Sequence, residues 1–559
     1  MSFKILFYHS ADDSIGYGDI FYVAMASLYL KTYIDTHNPE VANQLDWVVP
    51  QQYKLTDYDL LDLCETEDVD LLCTSHYIWN HEKLINQLAR IRNKLPQRTK
   101  VVVGGPSINV NLDIDFFKKY PFIDYAVYGP GEQAFNDIVT SMVKKQKLIS
   151  FNTSNLAWQD EQTQRRISDF KYVPQLNKSP YLSNKQLFKD MIAELDYPVD
   201  KIMIPYELTR GCPYSCTFCD WNSGLSNKVS RRKNTYKDEI DFFEEMGIKN
   251  IYLADANLGQ YDEDIDVIKY FAEKNIKNNA GFKLTGNLSK SKKENNLKLY
   301  HIMGKANLIF DGFVISIQEI NNDVLKNINR PDVGWEEHRK IIKELREHYP
   351  HFPSWVQLIQ GLPGQTVESW RKTLQTIIEF PVYLSIFTSE LLPASPASLD
   401  ASYQDRFQFK YSNSTRWDGF KFFTGTFPES CISFNRKDFV EMTSISLIFS
   451  ALMVIRLDKP LLDKKINFHE LADCLMQSEE FNLWKEDLYN NWCNNNSFYY
   501  TKKFGKSSES EIMSACTVFN SSSTLAYNKN FQNLIIESCN SSDKILLTGE
   551  VISINDFNN

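Results

Sequence analysis

The chain has 559 residues and a formal net charge of −10, and 43% of its residues are hydrophobic and 24% charged. This composition is ordinary for a globular protein and excludes a largely disordered chain, while the acidic balance argues against general nucleic-acid binding. The ten cysteines are too few for a disulfide scaffold. At roughly 100–200 residues per domain, we expect about three or four domains.

Neither a secretion signal nor a membrane span is predicted. The apolar run at the N-terminus (MSFKILFYHS) is short, and charged and polar residues follow it at once. The longest apolar stretch, Ser444–Leu457, is shorter than the ~20 residues that span a bilayer, and Arg456 interrupts it. We therefore expect a soluble, cytoplasmic protein without a membrane partner, and a buried helix at this stretch.

Residues 1–146 alternate short apolar strands with helices. The predicted strands are Lys4–Tyr8, Trp47–Val49, Asp70–Thr74, Lys100–Val103 and Asp124–Tyr128, and the predicted helices are Ile20–Ile34, His81–Leu95 and Glu132–Lys144. This alternation predicts an α/β domain with a parallel, doubly wound sheet, in which a ligand lies beyond the carboxyl ends of the strands. Glycine-rich turns fall at two of these ends, Gly104-Gly105-Pro106 and Gly129-Pro130-Gly131.

A polar connector is predicted at 147–200, and strand–helix units follow it at 201–400. The predicted strands are Met203–Leu208, Asn250–Leu253, Phe282–Thr285, Gly312–Ile317, Trp355–Ile359 and Tyr383–Phe387. Such a series predicts a partial (β/α)6 barrel with its chemistry at the C-terminal ends of the strands. Residues 401–559 are aromatic and rich in Asn and Ser, and we expect a mainly helical C-terminal domain related to substrate binding.

Three cysteines with the spacing C-x3-C-x2-C follow the first barrel strand. They are Cys212, Cys216 and Cys219 in the segment Glu207–Trp221 (ELTRGCPYSCTFCDW). Three thiolates on one loop can bind a [4Fe–4S] cluster and leave its fourth iron open for a small molecule. A structural zinc site would need a fourth protein ligand, which the neighbouring sequence does not offer. Free structural cysteines are the other alternative.

The cysteine spacing, with the aromatic Phe218 before the last cysteine, resembles the signature of radical SAM enzymes. The resemblance covers roughly residues 200–400. It implies that a [4Fe–4S] cluster reductively cleaves S-adenosylmethionine to methionine and a 5′-deoxyadenosyl radical. It also implies an electron donor such as flavodoxin or ferredoxin.

The same resemblance implies roles for polar residues further along the barrel. Asp255 and Asn257 stand where these enzymes bind the methionine amine, although the segment LADAN departs from the common Gly-Gly-Glu form. Ser316 and Gln318 would lie near the ribose, and Arg330 would meet the methionine carboxylate. Leu358–Gln365 (LIQGLPGQ) resembles the turn after the fifth barrel strand, where the backbone would pass the adenine at Gly361.

Residues 1–146 resemble the cobalamin-binding domain that precedes the barrel in one branch of radical SAM enzymes. The matching residues follow three successive strands and are Ser75, Tyr77, Trp79, Asn80, Gly104, Gly105, Gly129, Gly131 and Glu132. By the resemblance, cobalamin and its nucleotide tail would lie at these strand ends. The alternative is a flavodoxin-like domain that binds no ligand or a different cofactor.

One departure from the branch concerns the cobalt ligand. Many cobalamin domains carry a histidine in the first loop, where Asp13–Gly18 of this chain has Ile15. His9 and His76 are the nearby imidazoles, and we interpret both as packing or polar contacts. We therefore expect cobalt without a histidine ligand from the protein.

These resemblances predict a cobalamin-dependent radical SAM enzyme, and a methyltransferase acting on an unactivated carbon is the favoured interpretation. The same cofactors would serve a rearrangement, cyclisation or oxidation without methyl transfer, and a non-catalytic corrinoid or iron–sulfur sensor is a third alternative. The motifs do not identify the substrate, which we expect to be a peptide or a small molecule. The tail and the loop Glu390–Pro396 are expected to shape its pocket.

Overall fold

The structure is a computed structural model with two α/β modules and a group of helices packed against the second module. It describes residues 2–11, 20–77, 80–108, 116–159, 165–174, 177–221, 227–233, 235–331, 334–380, 382–392, 394–412, 427–456, 466–482, 529–546, 551 and 553. The predicted loop Asp13–Gly18 with Ile15, the predicted cofactor-contacting Trp79 and the Asn-rich stretch 490–500 lie outside the described residues.

Strands and helices are numbered here in chain order. The strands are β1 Phe3–Ala11, β2 Phe21–Tyr22, β3 Leu45–Trp47, β4 Gln51–Tyr53, β5 Leu71–Ser75, β6 Lys100–Gly104, β7 Tyr125–Val127, β8 Leu156–Gln159, β9 Arg165–Ile167, β10 Ile202–Tyr206, β11 Thr209–Arg210, β12 Ser230–Arg231, β13 Asn250–Leu258, β14 Lys283–Leu288, β15 Phe313–Gln318, β16 Ser354–Gln360, β17 Tyr383–Thr388, β18 Lys410–Ser412 and β19 Phe427–Ser430. The α-helices are α1 Ala26–His37, α2 Pro39–Ala42, α3 Asp57–Thr66, α4 His81–Ile91, α5 Phe116–Lys119, α6 Glu132–Val143, α7 Pro180–Ser183, α8 Lys185–Ala193, α9 Tyr236–Glu245, α10 Glu263–Asn278, α11 Lys293–Lys305, α12 Asn322–Asn327, α13 Trp335–His348, α14 Val367–Ile378, α15 Pro396–Leu399, α16 Ala401–Phe407, α17 Arg436–Arg456, α18 Phe468–Gln477 and α19 Lys529–Asn540.

The first module is built on one sheet in the order β3-β1-β5-β6-β7-β8-β9, with β4 also paired to β1. Strands β1 and β3 to β7 pair in parallel, whereas β8 and β9 are antiparallel additions at one edge. The parallel path has the strand order of flavodoxin-like sheets, which bind ligands where the order reverses, here between β1 and β5. The predicted doubly wound sheet is therefore confirmed.

This sheet extends beyond the predicted domain boundary at residue 146. Strands β8 and β9 pair with each other and with β7, and both belong to the predicted connector 147–200. Leu156 and Trp158 of β8 are buried in the same hydrophobic cluster as Phe135 of α6. The connector is thus partly a structural component of the first module, and it also contains α7 and α8.

The second module has two groups of parallel strands, β14-β13-β10-β2 and β15-β16-β17. Leu284 of β14 forms a bridge to Ile309, just before β15, and this contact brings the two groups side by side. All six predicted strands are present, as β10 and β13 to β17, and helices alternate with them. The predicted partial (β/α)6 barrel is confirmed, and the carboxyl ends of its strands lie at one face.

One strand of the barrel sheet comes from the first module. Phe21–Tyr22 pairs in parallel with β10, and α1 begins at Ala26. The predicted helix starting at Ile20 is therefore wrong over its first residues, because pairing with a remote strand overrides local helix propensity. Phe21 and Leu28 are buried in the same hydrophobic core as β10. The segment around β2 therefore contributes to the core of the barrel.

The described part of the C-terminal region is mainly helical, as predicted. Helix α17 contains most of the predicted buried stretch and packs in one core with α14 and β17. Trp370 of α14 donates its indole N–H to Ser446 Oγ at 2.8 Å, and Ser446 Oγ donates to Gln360 Oε1 at 2.7 Å. Among the residues that the structure describes, no helix has the length and apolar character needed to cross a lipid bilayer.

Candidate active site

The three clustered cysteines lie on one loop beyond the carboxyl end of β10. Cys212 and Cys216 are each 5% exposed, and Cys219 is half-buried. All three line one open cavity, together with Tyr214 and Lys290. None of the described cysteines forms a disulfide, so these thiols are available to bind a metal centre.

The cysteine arrangement suits a group larger than one metal ion. Within the described ranges, no set of three His, Cys, Asp or Glu side chains is arranged to hold a single ion. In a [4Fe–4S] cluster, by contrast, each thiolate binds a different iron, so three cysteines that line one cavity are a suitable set of ligands.

The cysteine loop is anchored from two sides. Thr217 donates its backbone N–H to the Ile328 carbonyl at 3.0 Å, and its own carbonyl accepts from Ala397 at 2.9 Å. The Thr217 hydroxyl also lies 2.9 Å from the hydroxyl of Tyr403 on α16. The segment that follows the last barrel strand therefore closes over the loop, in the region predicted to shape the substrate pocket.

Two cations approach the thiols from other elements. Lys290 Nζ lies 4.0 Å from Cys212 Sγ, and Arg330 faces Cys216. Burial raises the pKa of the Cys216 thiol, and the positive charges of Arg330 and Lys290 oppose that rise. Burial also raises the pKa of Cys219 to about 11. Because metal-bound cysteines are thiolates, these cations are placed to balance their negative charge.

The two residues predicted to bind the methionine amine have different surroundings. Asn257 donates Nδ2–H to Cys212 Sγ at 3.0 Å, and its Oδ1 accepts from Lys290 at 3.1 Å. Asp255 Oδ1 accepts the backbone N–H groups of Leu208 at 2.7 Å and Thr209 at 3.1 Å. Asp255 thus holds the start of the cysteine loop against β13, while Asn257 touches a cysteine directly.

Asp255 is also the most strongly perturbed carboxyl group near the cysteines. It is 1% exposed, and burial raises its pKa to about 7 although two backbone N–H groups oppose the shift. Its second oxygen, Oδ2, is buried and has no hydrogen-bond partner among the described residues. An unmatched buried acceptor of this kind fits a ligand that donates a hydrogen bond, such as an amine.

The predicted ribose-side residues lie at the end of β15. Ser316 Oγ donates to Gln357 Oε1, and the Ser316 carbonyl accepts from the guanidinium of Arg330. Gln318 follows a register shift in β15, has a φ of 71°, and is therefore in the left-handed region. Its Oε1 is buried without a partner among the described residues. Gln318 is thus the second unmatched acceptor at this face of the barrel.

Two other residues predicted to contact S-adenosylmethionine, Phe218 and Gly361, pack against other parts of the protein. Phe218 packs against the hydrophobic cluster that contains Ile359 and Leu362. Gly361 has a φ of 86°, and a side chain there would lie 3.0 Å from the ring of Phe439 on α17. The close approach of α17 is enough to explain this glycine, and its role beside the adenine stays a prediction.

In the first module, the predicted loop after β5 lies at the reversal of strand order. Ser75 Oγ is 3.0 Å from His9 Nδ1, which joins the carboxyl ends of β5 and β1. Asn80 donates to the carbonyls of His9 at 2.9 Å and Ser75 at 3.0 Å, and its Oδ1 accepts from Tyr77 N–H at 2.8 Å. Asn80 therefore shapes the loop, and Tyr77 is half-buried beside it.

His9 and His76 are both buried, and the ring of the half-buried His81 lies 5.2 Å from that of His76. His9 is 2% exposed and burial lowers its pKa to about 3, so the ring is neutral. Burial also lowers the pKa of His76, whose Nε2 lies 2.8 Å from Thr74 Oγ1. The interpretation of both rings as packing or polar contacts stays a prediction.

The glycines of the first module differ in how closely neighbouring atoms would approach an added side chain. A side chain at Gly105, where φ is 103°, would lie 2.6 Å from the carbonyl oxygen of His76, so the protein itself requires a glycine there. Gly104 has no neighbour closer than 3.7 Å to an added Cβ. Gly129 and Gly131 flank the turn before α6, and Glu132 begins that helix. Rather than facing open space, Glu132 is 7% exposed and pairs with Arg210.

Two residues of the site escaped the sequence analysis. Lys290 lies just beyond β14 and faces Cys212. Its position directly after a barrel strand could have marked it as a residue of the active-site face. Arg210, two residues before Cys212, contacts the first module. Nothing in the local sequence indicates that partner.

Comparison with known proteins identifies the central part of the chain. Residues 206–377 match the Radical SAM superfamily, which confirms the resemblance predicted from the cysteine spacing. Over 337 residues the chain is 26% identical to the cobalamin-dependent radical SAM methyltransferase TokK of Streptomyces tokunonensis, covering 58% of this chain and 48% of TokK. Over 394 residues it is 25% identical to the 2-(S-pantetheinyl)-carbapenam-3-carboxylate methyltransferase of Streptantibioticus cattleyicolor, covering 68% and 55% of the two chains. The chain spans about half the length of these curated relatives.

A solved structure shares the overall fold. The cobalamin-dependent S-adenosylmethionine radical enzyme OxsB, with aqua-cobalamin and S-adenosylmethionine bound, matches with a TM-score of 0.58 at 13% identity. The match covers 96% of this chain and 79% of OxsB. The order of a doubly wound module, a barrel and a helical region is therefore one already seen in a solved protein.

Proposed function

We propose that this chain, whose residues 206–377 form a radical SAM domain, is a cobalamin-dependent radical SAM enzyme that methylates an unactivated carbon. The observation that carries the proposal is the set of three cysteines around one cavity at the C-terminal face of the barrel. The flavodoxin-like strand order of the first module adds a ligand site at its strand ends. Both curated relatives are named methyltransferases, which supports this outcome over a rearrangement.

Several barrel residues would hold the iron–sulfur cluster, each in a different way. When bound, the cluster supplies the electron for cleaving S-adenosylmethionine, and cobalamin supplies the methyl group. Cys212, Cys216 and Cys219 would hold three irons and leave the fourth open. Asn257, which donates to Cys212 Sγ at 3.0 Å, orients that sulfur, and Lys290 balances its charge.

Other barrel residues fit S-adenosylmethionine. The unmatched acceptors Asp255 Oδ2 and Gln318 Oε1 are suited to the donor groups of the methionine amine and the ribose. Arg330 donates to the Ser316 carbonyl and faces Cys216, and its guanidinium would hold the methionine carboxylate. A guanidinium suits a carboxylate because its planar donors allow a bidentate contact.

In the first module, cobalamin would lie beyond the β1–β5 reversal, where flavodoxin-like sheets bind their ligands. An added Cβ at Gly104 would meet nothing nearer than Val127 at 3.7 Å. Asn80 donates hydrogen bonds to the carbonyls of His9 and Ser75. His9 Nδ1 is engaged with Ser75, whereas its Nε2 is buried without a partner among the described residues. Because Ile15 stands where many cobalamin domains carry the ligating histidine, we expect cobalamin to bind without a histidine bond to cobalt.

Anaerobic reconstitution tests the proposal. The wild-type chain should bind about four irons, retain hydroxocobalamin and form 5′-deoxyadenosine from S-adenosylmethionine under reducing conditions. Replacing Cys212, Cys216 and Cys219 together by Ala should abolish 5′-deoxyadenosine formation. The matched controls Cys431→Ala and Cys474→Ala, which change cysteines outside the loop, should retain it. Cleavage by the triple variant would contradict the assignment.

A further inference from the structure

One buried ion pair connects the first module to the cysteine loop. Glu132 is the first residue of α6 and directly follows the turn Gly129–Gly131. Its Oε1 accepts a hydrogen bond from the guanidinium of Arg210, which lies on β11 two residues before Cys212. The side chain of Glu132 is 9% exposed and that of Arg210 is 18% exposed. The pair therefore joins a turn predicted to contact cobalamin to the loop that carries the cysteines.

Arg210 is held by three elements at once. Its Nη2 donates to Glu207 Oε2 at 3.1 Å, and its Nε lies 3.3 Å from the same oxygen. The guanidinium carbon lies 5.8 Å from the ring centroid of Tyr29 on α1. A lysine could not reproduce this set, because only the planar guanidinium presents several donors in a fixed fork. A change in the position of Glu132 would therefore shift Arg210 and the backbone that leads to Cys212.

Contacts other than this ion pair also hold the first module against the barrel. Strand β2 of the first module pairs with β10, and Phe21 and Leu28 are buried in one hydrophobic cluster with Ile204 and Tyr206 of β10. Asn184 of the connector donates to Thr32 Oγ1 of α1 at 2.8 Å. These contacts keep the modules together, so the ion pair sets the relative position of two loops within an interface that is already formed.

We propose that Glu132 and Arg210 are positioning residues that couple cobalamin binding in the first module to cluster binding in the second. Glu132 directly follows the turn Gly129–Gly131, and its carboxylate is favoured at the N-terminus of α6 by the helix dipole. Arg210 transmits that position to the cysteine loop. This inference rests on the proposed function, because both cofactors must bind for coupling to exist.

Thermodynamic linkage provides the test. The dissociation constant of hydroxocobalamin is measured by absorbance titration on the full chain, with and without the reconstituted cluster. Coupling predicts that the cluster-loaded wild type binds hydroxocobalamin more tightly by about 5- to 150-fold, the usual range for two coupled sites. In Glu132→Gln and Arg210→Lys the two dissociation constants should become equal within about twofold. Glu132→Asp, which keeps the charge on a shorter side chain, should fall between.

A matched control separates coupling from general destabilisation. Asp124 pairs with Arg92 at 3.0 Å within the first module and is 17% exposed, so Asp124→Asn removes a comparable charge without touching the interface. This variant should retain the wild-type ratio. A wild-type ratio in Glu132→Gln and Arg210→Lys, or a ratio of one in the wild type, would overturn the inference while leaving the proposed function standing. Failure of the wild type to bind either cofactor would instead overturn the proposed function.

Discussion

Asn257 Nδ2 donates a hydrogen bond to Cys212 Sγ across 3.0 Å, and the same side chain accepts from Lys290. Asn257 lies on β13, whereas Cys212 lies on the loop beyond β10, so the contact joins two neighbouring strand ends. Hydrogen bonds to cluster sulfurs stabilise the more negatively charged reduced state and thereby raise the reduction potential. Asn257 is therefore expected to tune the potential of the cluster.

Replacing Asn257 by Leu should lower that potential. The variant removes the donor at similar volume, and a hydrogen bond of about 0.5–1.5 kcal/mol corresponds to roughly 20–60 mV for one electron. Redox titration monitored by EPR of the reduced cluster measures the change. Asn278→Leu, a change of an exposed side chain at the end of α10, is the control and should leave the potential unaltered. An unchanged or higher potential in Asn257→Leu would contradict the assigned role.

The raised pKa of Asp255 predicts that the stability of the folded chain depends on pH. Burial raises its pKa to about 7 in the folded chain, above the usual ~3.9 of an unfolded chain. Between about pH 4 and 7 the folded state therefore binds a proton that the unfolded state has released, so this group makes stability fall as pH rises through that window. Above the window the penalty is constant.

The variant Asp255→Asn keeps the Oδ1 acceptor for Leu208 and Thr209 but carries no charge. Its unfolding temperature, relative to the wild type, should be higher at about pH 8 than at about pH 5, because only the wild type carries the buried charge at the higher pH. Thermal unfolding of the metal-free chain measures the difference. Equal relative stability at both pH values would show that Asp255 does not titrate in this range.

The barrel strands and the cysteine loop could be predicted because their signals are local. Buried parallel strands are short apolar runs between amphipathic helices, and the three cysteines fall within one loop. Strand β2 could not be predicted, because Phe21–Tyr22 gains its conformation by pairing with β10. Local propensity at these residues is compatible with a helix, and the remote partner decides the outcome.

The same limit applies to the site residues. Glu132 has the local signature of a glycine-rich, ligand-contacting turn, yet its charge is paired with Arg210 of the other module. Lys290 reaches Cys212 only because β14 and the cysteine loop end at the same face of the barrel. Long-range ion pairs of this kind leave no periodic pattern in a single sequence, whereas the metal-binding spacing does.

The two adjacent glycines of the first module should respond differently to substitution. Gly105→Ala should destabilise the cofactor-free chain by about 1–3 kcal/mol, because the residue has a positive φ and the new Cβ would lie 2.6 Å from the His76 carbonyl. Gly104→Asp should destabilise the chain less than Gly105→Ala but reduce hydroxocobalamin retention, because an added Cβ there meets nothing nearer than 3.7 Å and the carboxylate would lie at the strand end proposed to bind cobalamin. Thermal unfolding and absorbance after gel filtration measure the two effects. Full cobalamin retention by Gly104→Asp would place the ligand elsewhere.

Arg330 should contribute to binding S-adenosylmethionine but not cobalamin. Loss of a charge-assisted contact in Arg330→Ala is worth about 1.5–3 kcal/mol, or roughly 10- to 150-fold in affinity. Equilibrium dialysis of S-adenosylmethionine with the cluster-loaded chain measures the change, and Arg330→Lys should retain part of the affinity. An unchanged affinity in Arg330→Ala would mean that its contacts with Ser316 and Cys216 are structural.

The fate of the methyl group of S-adenosylmethionine tests the central claim most directly. The chain loaded with cluster and hydroxocobalamin is reduced anaerobically with titanium(III) citrate and given S-adenosylmethionine carrying a trideuterated methyl group. Mass spectrometry of the extracted cobalamin should detect trideuteromethylcobalamin, and 5′-deoxyadenosine should form in the same mixture. Formation of 5′-deoxyadenosine with cobalamin recovered free of label would contradict methyl transfer and favour a cobalamin-assisted rearrangement, cyclisation or oxidation.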